Sequence, residues 1–380
     1  MTAPGLFLAR LRLTNFRSWR GLDAAFDASL ICIAGENGAG KTNLLEAISL
    51  LAPGRGLRGA RMGELGRQEE GAGLAWAAAG RFETRAGPME IGTGTDPEGA
   101  TERRIYRLDG QALRSQAMLA ERMAAVWITP QMDRLFQEGA SGRRRFLDRL
   151  VWALEPGHAR EVAAHDNAMA ERNRLLAEGR ADPAWLAGLE DAMARHAVAV
   201  AAARRALMLR LNAELAAGRA TGAFPAARLD ITCPITAGLA ENPALALEDA
   251  LRQGLAQDRR RDAAAGGAAR GAHKADLSLI HMPKGISAEF CSTGEQKALL
   301  VSVVLAHASL IAEARGFAPL LLLDEVAAHL DPARREALFA ALAALPAQVF
   351  MTGTDAEVFA PLAGIGQVFG AGDGRLFALR

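Results

Sequence analysis

Eight consecutive residues near the start of the chain have the types and spacing of a phosphate-binding loop. A short apolar run, Leu30 to Ala34, precedes them and helical spacing follows from Asn43 to Leu51, so they connect a predicted strand to a predicted helix. In such a loop, glycines let backbone amides face phosphate oxygens, a lysine adds charge at the β and γ phosphates, and a threonine hydroxyl is a Mg²⁺ ligand. The alternative, an ordinary glycine turn, is disfavoured by this strand and helix context. The residues fit the pattern GxxxxGK[ST]: Gly35, Glu36, Asn37, Gly38, Ala39, Gly40, Lys41 and Thr42.

A pair of carboxylates late in the chain suits the hydrolysis of a bound triphosphate. Asp324 and Glu325 directly follow the apolar run Leu320 to Leu323, which is typical of a buried parallel strand. The aspartate can hold Mg²⁺ and the glutamate can polarise the attacking water. Taken alone, such a run could also be a strand that reaches a solvated turn. Together with the phosphate loop it predicts a site for ATP and Mg²⁺, with Lys41 and Glu325 as catalytic residues and with Thr42 and Asp324 as metal ligands.

A third motif lies shortly before this strand, at the start of a long predicted helix. It reads Ser292, Thr293, Gly294, Glu295, Gln296, Lys297, so that hydroxyls and amides gather at a helix N-terminus, where anions bind. The same residues are equally consistent with an N-cap followed by an acidic first turn. The position of the motif between the phosphate loop and Asp324 favours an ATP-binding role for Ser292 and Gly294.

The composition sets limits on the class of protein. Among 380 residues there are 44 Lys and Arg against 43 Asp and Glu, so any binding of nucleic acid must come from local patches. The three cysteines are scattered without CxxC spacing and indicate buried thiols in a reducing cytosol. The longest mostly apolar stretch, Ala298 to Ala312, is shorter than a bilayer span, and Arg10 and Arg12 interrupt the apolar N-terminus. We therefore expect a cytoplasmic protein without a membrane partner.

The order of the motifs resembles that of ABC-type ATPases. The phosphate loop, the serine–glycine motif and the carboxylate strand are followed by the run from Ala327 to Asp331. The resemblance implies that the serine–glycine motif of one subunit completes the ATP site of its partner, so that ATP stabilises a homodimer. It also places Asp331 among the ATP-binding residues.

Further strings extend the resemblance to the RecF recombination-mediator family over nearly the whole chain. Members of this family are bacterial, cytoplasmic proteins that bind DNA with ATP, dimerise, and act with RecO and RecR to load RecA at single-strand gaps. The resemblance implies the same partners here, together with double-stranded and gapped DNA. The strings are Asn15-Phe16-Arg17, Gly54-Arg55-Gly56-Leu57-Arg58, Arg143-Arg144-Arg145-Phe146-Leu147-Asp148, Arg172-Asn173 and Gly271-Ala272-His273-Lys274-Ala275-Asp276.

The predicted fold class is α/β, with a P-loop ATPase head of the ABC/SMC type. Residues 1–130 and 268–380 are expected to form the head, because strand patterns and the ATPase motifs lie there. Residues 131–267 are expected to form an inserted, mainly helical arm domain, since apolar residues repeat at helical spacing from Phe146 through Leu215. The arm is too short for an SMC coiled coil.

One position departs from the pattern of ABC ATPases, and another residue resembles a residue of SMC-like ATPases. ABC ATPases usually carry a histidine after the strand that follows the carboxylates, whereas this chain continues from Met351 into Thr352, Gly353, Thr354 and Asp355. The identity of the γ-phosphate sensor is therefore open. Gln131 resembles the glutamine that SMC-like ATPases place near the metal, and the alternative is a solvated loop side chain.

Four arginines are the candidates for DNA contact: Arg143, Arg144, Arg145 and Arg149. Each phosphate that they neutralise would add to the salt dependence of binding. The alternative is a solvated helix start, or pairing with acidic neighbours such as Glu138 and Asp148. Aromatic residues make up only 5% of the chain, so contacts with the duplex backbone are favoured over base stacking.

Three other classes share parts of this pattern. The energising subunit of a membrane transporter carries the same ATPase motifs, but the helical arm and the RecF strings argue against it. A structural chromosome protein of the SMC kind requires sustained heptads, which are absent from the sequence. A metabolic P-loop kinase does not require the serine–glycine motif.

Overall fold

A computed structural model describes residues 5–68, 75–96, 104–179, 182–218, 224–328 and 330–379. The chain divides into two compact units. The head unit comprises Met1–Asp133, Gly218–Pro225 and Ser292–Arg380, and the arm unit comprises Arg134–Ala217 and Ala226–Cys291.

The strands and helices are numbered in chain order. The strands are β1 (Leu6–Phe16), β2 (Trp19–Ala25), β3 (Leu30–Ala34), β4 (Ala77–Thr84), β5 (Gly87–Thr95), β6 (Arg104–Leu108), β7 (Gln111–Ala112), β8 (Ala125–Ile128), β9 (Ala227–Thr232), β10 (Asp276–His281), β11 (Ile286–Ser287), β12 (Leu320–Leu323), β13 (Val349–Gly353), β14 (Gln367–Gly372) and β15 (Arg375–Ala378). The α-helices are α1 (Lys41–Leu51), α2 (Gln116–Ala120), α3 (Ala140–Leu154), α4 (His158–Glu178), α5 (Pro183–Ala217), α6 (Pro234–Gly238), α7 (Ala244–Gln257), α8 (Arg259–Ala265), α9 (Thr293–Arg315) and α10 (Pro332–Ala344).

A mostly parallel sheet forms the centre of the head unit. Its strand order is β15-β14-β3-β13-β12-β8, and only β15 runs antiparallel to its neighbour. Every residue of β3, β12 and β8 is buried, as expected for parallel strands that are covered on both faces. The α/β fold class and the continuous apolar runs in the sequence are thus confirmed.

An antiparallel sheet with the order β2-β1-β4-β5-β6-β7 makes up the second layer of the head unit. Buried and exposed residues alternate along β1 and β4, which gives each strand one apolar and one wet face. The helix α1 contacts β4, β1 and β5 of this sheet and β13 of the parallel sheet. The start of α1 is therefore held from two sides.

The long helix α9 consists largely of apolar residues. By length and composition it could cross a membrane, with a mean hydropathy of 1.6, but 78% of its most apolar stretch is buried inside the structure. It packs against β8 of the parallel sheet. Such burial is typical of a helix in the core of a globular unit.

The arm unit combines the helices α3 to α8 with a small antiparallel sheet of order β11-β10-β9. Arg172 on α4 is fully buried, and its guanidinium donates to Glu190 on α5 at 3.0 Å, to Asp262 on α8 at 2.9 Å and to the Leu255 carbonyl on α7 at 2.7 Å. A charge buried in this way is tolerated only when all its donors are paired. Arg172 therefore joins four helices of the arm.

The boundary of the arm unit differs from the expected one. Residues 268–291 group with the arm, because β10 pairs with β9 along six residues, from Asp276 opposite Thr232 to His281 opposite Ala227. The strand pairing joins segments that are more than forty residues apart in the sequence. The second boundary therefore falls after Cys291, directly before Ser292, and not at residue 267.

Candidate functional site

The carboxyl ends of four parallel strands collect the main site residues at one edge of the head sheet. Ala34 at the end of β3 is paired with Gly353 of β13, Met351 of β13 with Leu323 of β12, and Leu323 with Ile128 of β8. The residues that follow these strands must therefore lie side by side. They include the phosphate loop, the two carboxylates and the segment that leads to Gln131.

The phosphate loop has backbone conformations that only glycine adopts easily. Gly38 and Gly40 have φ values of 88° and 92°, in the left-handed region. A Cβ atom on Gly40 would lie 2.6 Å from the Ser18 hydroxyl oxygen, and one on Gly35 would lie 2.4 Å from the Ala371 carbonyl oxygen. Side chains at Gly35 and Gly40 would therefore force the loop out of its present position.

Lys41 lies at the first position of α1 and is only 5% exposed. Its ammonium donates to the carbonyl oxygens of Gly35 at 2.6 Å and Glu36 at 2.9 Å. Burial lowers the pKa of Lys41, and the nearby carboxylates of Glu325 and Asp324 partly offset that effect. The positive charge of Lys41 is thus held over the loop. The phosphate oxygens of a bound nucleotide would replace the two loop carbonyls as the acceptors of its hydrogen bonds.

Asp324 is the centre of a small hydrogen-bonded cluster with two threonines. The Thr42 hydroxyl lies 3.0 and 2.9 Å from its two carboxylate oxygens, and the Thr352 hydroxyl donates to Oδ1 at 2.6 Å. Asp324 is 4% exposed and Thr352 is fully buried. The hydroxyl of Thr42 and the carboxylate of Asp324 are hard oxygen ligands of the kind that Mg²⁺ prefers, and they already lie together.

Glu325 has an unusual backbone conformation. Its φ of 51° lies in the left-handed region, which side chains other than glycine and asparagine seldom adopt. Its amide donates to the Thr352 hydroxyl at 2.9 Å, and its carbonyl accepts from the Lys297 ammonium at 2.9 Å. Neighbours on both sides thus fix the turn, and the half-buried Glu325 follows directly after buried Asp324.

Sequence reasoning assigned no role to Thr352 or Lys297. In the sequence, Thr352 stands near the position where ABC ATPases usually carry a histidine, and Lys297 is the last residue of the serine–glycine motif. A threonine near the carboxyl end of a buried strand, next to the strand that carries the carboxylates, is the signal that could have found Thr352.

A second layer of charged residues supports α1. Glu46 on α1 is 1% exposed, and its carboxylate accepts a bidentate pair of hydrogen bonds from Arg17 at 2.8 and 2.9 Å. Arg58 donates to Glu46 at 3.2 Å and to the Asn43 side chain at 2.7 Å. The sequence strings that contain Arg17 and Arg58 therefore stabilise the helix behind the phosphate loop.

Ser292 and Gly294 lie at the N-terminal end of α9. Ser292 is the N-cap, and its amide donates to the Glu295 carboxylate at 3.1 Å in a capping-box arrangement. The N-cap interpretation and the anion-site interpretation are compatible, because the capping box uses the amides of Ser292 and Glu295 and leaves those of Thr293 and Gly294 for an anion. Ser292 is exposed and Gly294 is half-buried.

Asp331 and Gln131 lie in exposed positions. Asp331 is the N-cap of α10, and its side chain accepts from the Arg334 amide at 2.9 Å. Gln131 is on a 3₁₀ turn, Pro130–Arg134, that follows β8. His329, within the run from Ala327 to Asp331, lies outside the described residues.

Three of the four arginines expected at DNA are engaged within the arm unit. Arg143 forms a bidentate ion pair with Asp276, with both distances 2.8 Å, and the hydrogen bonds from Arg143 lower the pKa of Asp276. Arg144 donates to the Ala275 carbonyl at 2.9 Å. Arg149 is half-buried with its guanidinium 5.3 Å from the centre of the Phe146 ring, and burial lowers its pKa.

Arg145 is the exposed member of the cluster. The pairing alternative therefore holds for Arg143: the carboxylate that it pairs with is that of Asp276, and it also donates to the backbone carbonyl of Glu138. The carboxylate of Asp148 accepts from Arg204 at 2.7 and 2.8 Å instead. A second group of arginines, at residues 259–261 of the arm, is also partly paired. Arg259 pairs with the buried Glu190, and Arg261 pairs with Asp258.

Comparisons with known proteins agree with these observations. The model of the family described as "RecF/RecN/SMC N terminal domain" matches residues 7–373. The chain is 46% identical over 370 residues to the DNA replication and repair protein RecF of Rhizobium johnstonii, covering 97% of this chain and 98% of that protein. It is 47% identical over 361 residues to the protein of the same name from Mesorhizobium japonicum, covering 95% and 94%.

Two kinds of solved structure share the fold. A recombination mediator protein RecF–ATPγS structure of the RecFOR pathway superimposes with a TM-score of 0.85 at 22% identity, covering 100% of this chain and 99% of the other. An Smc head domain with an extended coiled coil, derived from Pyrococcus furiosus, gives a TM-score of 0.54 at 16% identity, covering 98% and 96%. At these identities the structures show the fold alone.

Proposed function

The chain belongs to the RecF family, and from that membership we propose that it is an ATP-dependent DNA-binding protein of DNA replication and recombinational repair. It dimerises on ATP, binds DNA in that state, and resets by slow hydrolysis. One observation carries the proposal more than any other. Thr42 and Asp324 lie in hydrogen-bond contact at the end of the phosphate loop, so the loop and the carboxylate strand of the proposed ATP site meet within one head.

ATP binding would use the loop amides and Lys41. The glycines leave the loop backbone open to phosphate oxygens, and the Lys41 ammonium would exchange the carbonyls of Gly35 and Glu36 for the β and γ phosphates. Mg²⁺ would be held by the Thr42 hydroxyl and the Asp324 carboxylate, and it supplies positive charge that offsets the charge of the phosphates. Both donors are oxygen atoms that already converge, which fits the ion.

Hydrolysis would depend on Glu325. A water oxygen attacks the γ phosphorus, the bond from that phosphorus to the oxygen shared with the β phosphate breaks, and the water proton passes to the Glu325 carboxylate. The products are ADP and inorganic phosphate. The hydrogen bonds from the Glu325 amide to Thr352 and from Lys297 to the Glu325 carbonyl keep the residue in place.

Dimerisation would complete the site. The hydroxyl of Ser292 and the amide of Gly294, at the N-terminus of α9, would reach the γ phosphate bound by the partner copy. Asp331 follows the carboxylates in the chain, and Gln131 follows β8, the strand that pairs with β12. Both residues are exposed and would line the same junction. Since each copy supplies half of both sites, two ATP molecules would stabilise one symmetric dimer.

The DNA would be double-stranded or gapped, and contacts would be made with its phosphates. Arg145 is the exposed arginine of the predicted cluster and the first candidate. The partners would be RecR, with RecO and RecA in the pathway, and the protein would act in the cytoplasm. These assignments rest on membership of the family. The relatives are named DNA replication and repair protein RecF, and the similar solved structure is described as a recombination mediator protein of the RecFOR pathway.

The test is fluorescence anisotropy of a labelled gapped duplex titrated with the purified protein, with and without MgATP, across a series of salt concentrations. We expect tight binding only with MgATP, with a slope against salt that counts the phosphates contacted. Lys41→Ala is the matched variant and should bind weakly in both conditions. Equally weak binding by the wild type with and without MgATP would contradict the proposal and favour a partner other than DNA.

A further inference from the structure

Lys297 is a buried lysine that contacts the backbone of the catalytic turn. It lies on α9, five residues after Ser292, and is 4% exposed. Its ammonium donates to the carbonyl oxygens of Glu325 at 2.9 Å and Ala328 at 3.1 Å. The Asp133 carboxylate, in the 3₁₀ turn that contains Gln131, is 3.9 Å away. One side chain thus touches the turn after β12 and approaches the segment after β8.

A charge at this position is costly, which argues against a mere packing role. Burial lowers the pKa of Lys297, and the carboxylates of Asp133, Glu325 and Asp324 partly offset that effect. An apolar side chain would fill a space among the apolar residues of α9 without the desolvation of an ammonium group. What the lysine adds is two strong hydrogen bonds to carbonyl groups of the turn.

The turn from Glu325 to Ala328 requires such support. Glu325 has a φ of 51°, a conformation that persists only where the surroundings hold it. The Ala328 amide donates to the Glu325 carbonyl at 3.1 Å, so that carbonyl accepts from the turn and from Lys297 together. The Thr352 hydroxyl holds the amide of Glu325 from the other side. Removing Lys297 would take the ammonium donor from the carbonyls of Glu325 and Ala328, leave the Glu325 carbonyl with the Ala328 amide alone, and leave the turn held on one side only.

We propose that Lys297 is a positioning residue that fixes the turn carrying Glu325 and connects it to Ser292 and Gly294 at the start of the same helix. The inference rests on the proposed ATP hydrolysis at Glu325 and adds a route by which the second subunit controls it. A helix moves as a rigid element, so a nucleotide that engages Ser292 from the partner copy also fixes Lys297, little more than one helical turn away. The Glu325 carboxylate is then held for attack only when both subunits are in place.

Loss of Lys297 should change the rate of ATP hydrolysis and not the affinity for ATP. Lys297 touches backbone carbonyls of the turn, and the phosphate loop is formed by other residues. Its loss should therefore reduce the rate of the chemical step and leave the affinity for ATP nearly unchanged. A residue that only stabilised the fold would affect binding, hydrolysis and thermal stability together.

The experiment compares Lys297→Met, Lys297→Arg and the wild-type full chain, with Lys274→Met as a matched control that makes the same chemical change at an exposed lysine of the arm. Binding of a fluorescent ATP analogue with Mg²⁺, single-turnover ATP hydrolysis and thermal unfolding are measured for each. In Lys297→Met we expect the dissociation constant to stay within about 2-fold and the single-turnover rate to fall at least about 10-fold. Lys297→Arg, which keeps the donors, should recover part of the rate, and Lys274→Met should match the wild type.

Two results would overturn the role of Lys297. One is a Lys297→Met protein that hydrolyses ATP at the wild-type rate. The other is a protein in which ATP affinity and unfolding temperature fall together with the rate and Lys297→Arg recovers none of it, since that pattern indicates a structural role. Failure of the proposed function looks different, because the wild type itself would then neither bind nor hydrolyse MgATP, and that result would overturn both.

Discussion

The Thr42 hydroxyl lies 3.0 and 2.9 Å from the two carboxylate oxygens of Asp324, although 282 residues separate them in the chain. The contact exists because β3 and β12 both pair with β13 in parallel, so their carboxyl ends lie at one edge of the sheet. The Thr42 hydroxyl donates a hydrogen bond to the Asp324 carboxylate there, and this contact stabilises the positions of both side chains. A Mg²⁺ ion bound by both oxygens would take the place of this hydrogen bond, and the hydroxyl would then offer the ion a lone pair.

The first prediction concerns that pair. Thr42→Ala should weaken the binding of MgATP by about 10-fold or more, because it removes one of two metal ligands. Binding of ATP in the presence of a chelator should change little, since Lys41 and the loop amides remain. Isothermal titration calorimetry with and without Mg²⁺ measures both values. Thr42→Ser keeps the hydroxyl and should stay close to the wild type, and an equal loss in that variant would argue against a metal-ligand role.

Replacing Glu325, the proposed catalytic carboxylate, should separate the binding of ATP from its hydrolysis. Glu325→Gln is expected to retain ATP and to lower the hydrolysis rate by about 100-fold or more, because the amide cannot accept the water proton. The protein should then accumulate as an ATP-bound dimer, which light scattering after size exclusion would detect. A Glu325→Gln protein that hydrolyses ATP normally would remove Glu325 from the base role, and a monomer with bound ATP would contradict the dimer.

Thr352 should affect turnover through its position between Asp324 and the Glu325 amide. Thr352→Val removes the hydroxyl with little change in volume, and leaves the Asp324 oxygen and the Glu325 amide without their partner. We expect the single-turnover rate to fall roughly 10-fold, which corresponds to about 1.4 kcal/mol in the activation barrier. Thr352→Ser should restore most of the rate. Unchanged hydrolysis in the valine variant would show that the hydroxyl is not needed to orient the turn.

The arginine cluster offers a test that separates structure from DNA contact. Arg143→Ala should lower the free energy of unfolding by about 1 kcal/mol, because it breaks the partly exposed pair with Asp276. Arg145→Ala should leave unfolding unchanged and reduce the slope of log affinity against log salt by about 1. Denaturant unfolding and anisotropy with duplex DNA provide the two readouts. An unchanged salt slope for Arg145→Ala would move the DNA surface elsewhere.

Acidification should act on the same ion pair. Hydrogen bonds from Arg143 lower the pKa of Asp276 below its ordinary value of 3.8. A carboxyl with a depressed pKa in the folded state contributes stability above its unfolded pKa, and that contribution is lost as pH falls through the folded value. Arg143→Ala should therefore flatten the dependence of stability on pH below about 4. Parallel curves for the variant and the wild type in that range would exclude the pair as a source of acid sensitivity.

The sequence predicted many of the helices, because helix bounds depend on the spacing of nearby apolar residues and on the residues at the helix ends. Apolar residues repeat at helical spacing from Phe146 through Leu215, and the long helices α4 and α5 lie in that part of the chain. The helix α4 ends at Glu178, where left-handed Gly179 follows it, and α5 begins at Pro183. The helix α8 continues to Ala265, since alanine is a strong helix former.

The sequence by itself determined the phosphate loop, the carboxylate strand and the serine–glycine motif. Each is a short run whose glycines, lysine, hydroxyls and carboxylates have a function in only a few backbone contexts, and the flanking apolar runs define those contexts. The family resemblance rests on the same kind of short strings. Information of this kind is local, so it can be read without knowing the fold.

Only the tertiary structure decided which charged residues are available and which are used internally. Arg143 and Asp276 are 133 residues apart and Arg172 and Asp262 are 90 apart, so no local pattern reveals that they pair. The same holds for Lys297, whose ammonium reaches the turn at Glu325 because α9 packs against β8, the strand that pairs with β12. A sequence shows which residues carry charge, but the folding of distant segments decides which charges pair, and a guanidinium that is fully buried in such a pair is not exposed to a ligand.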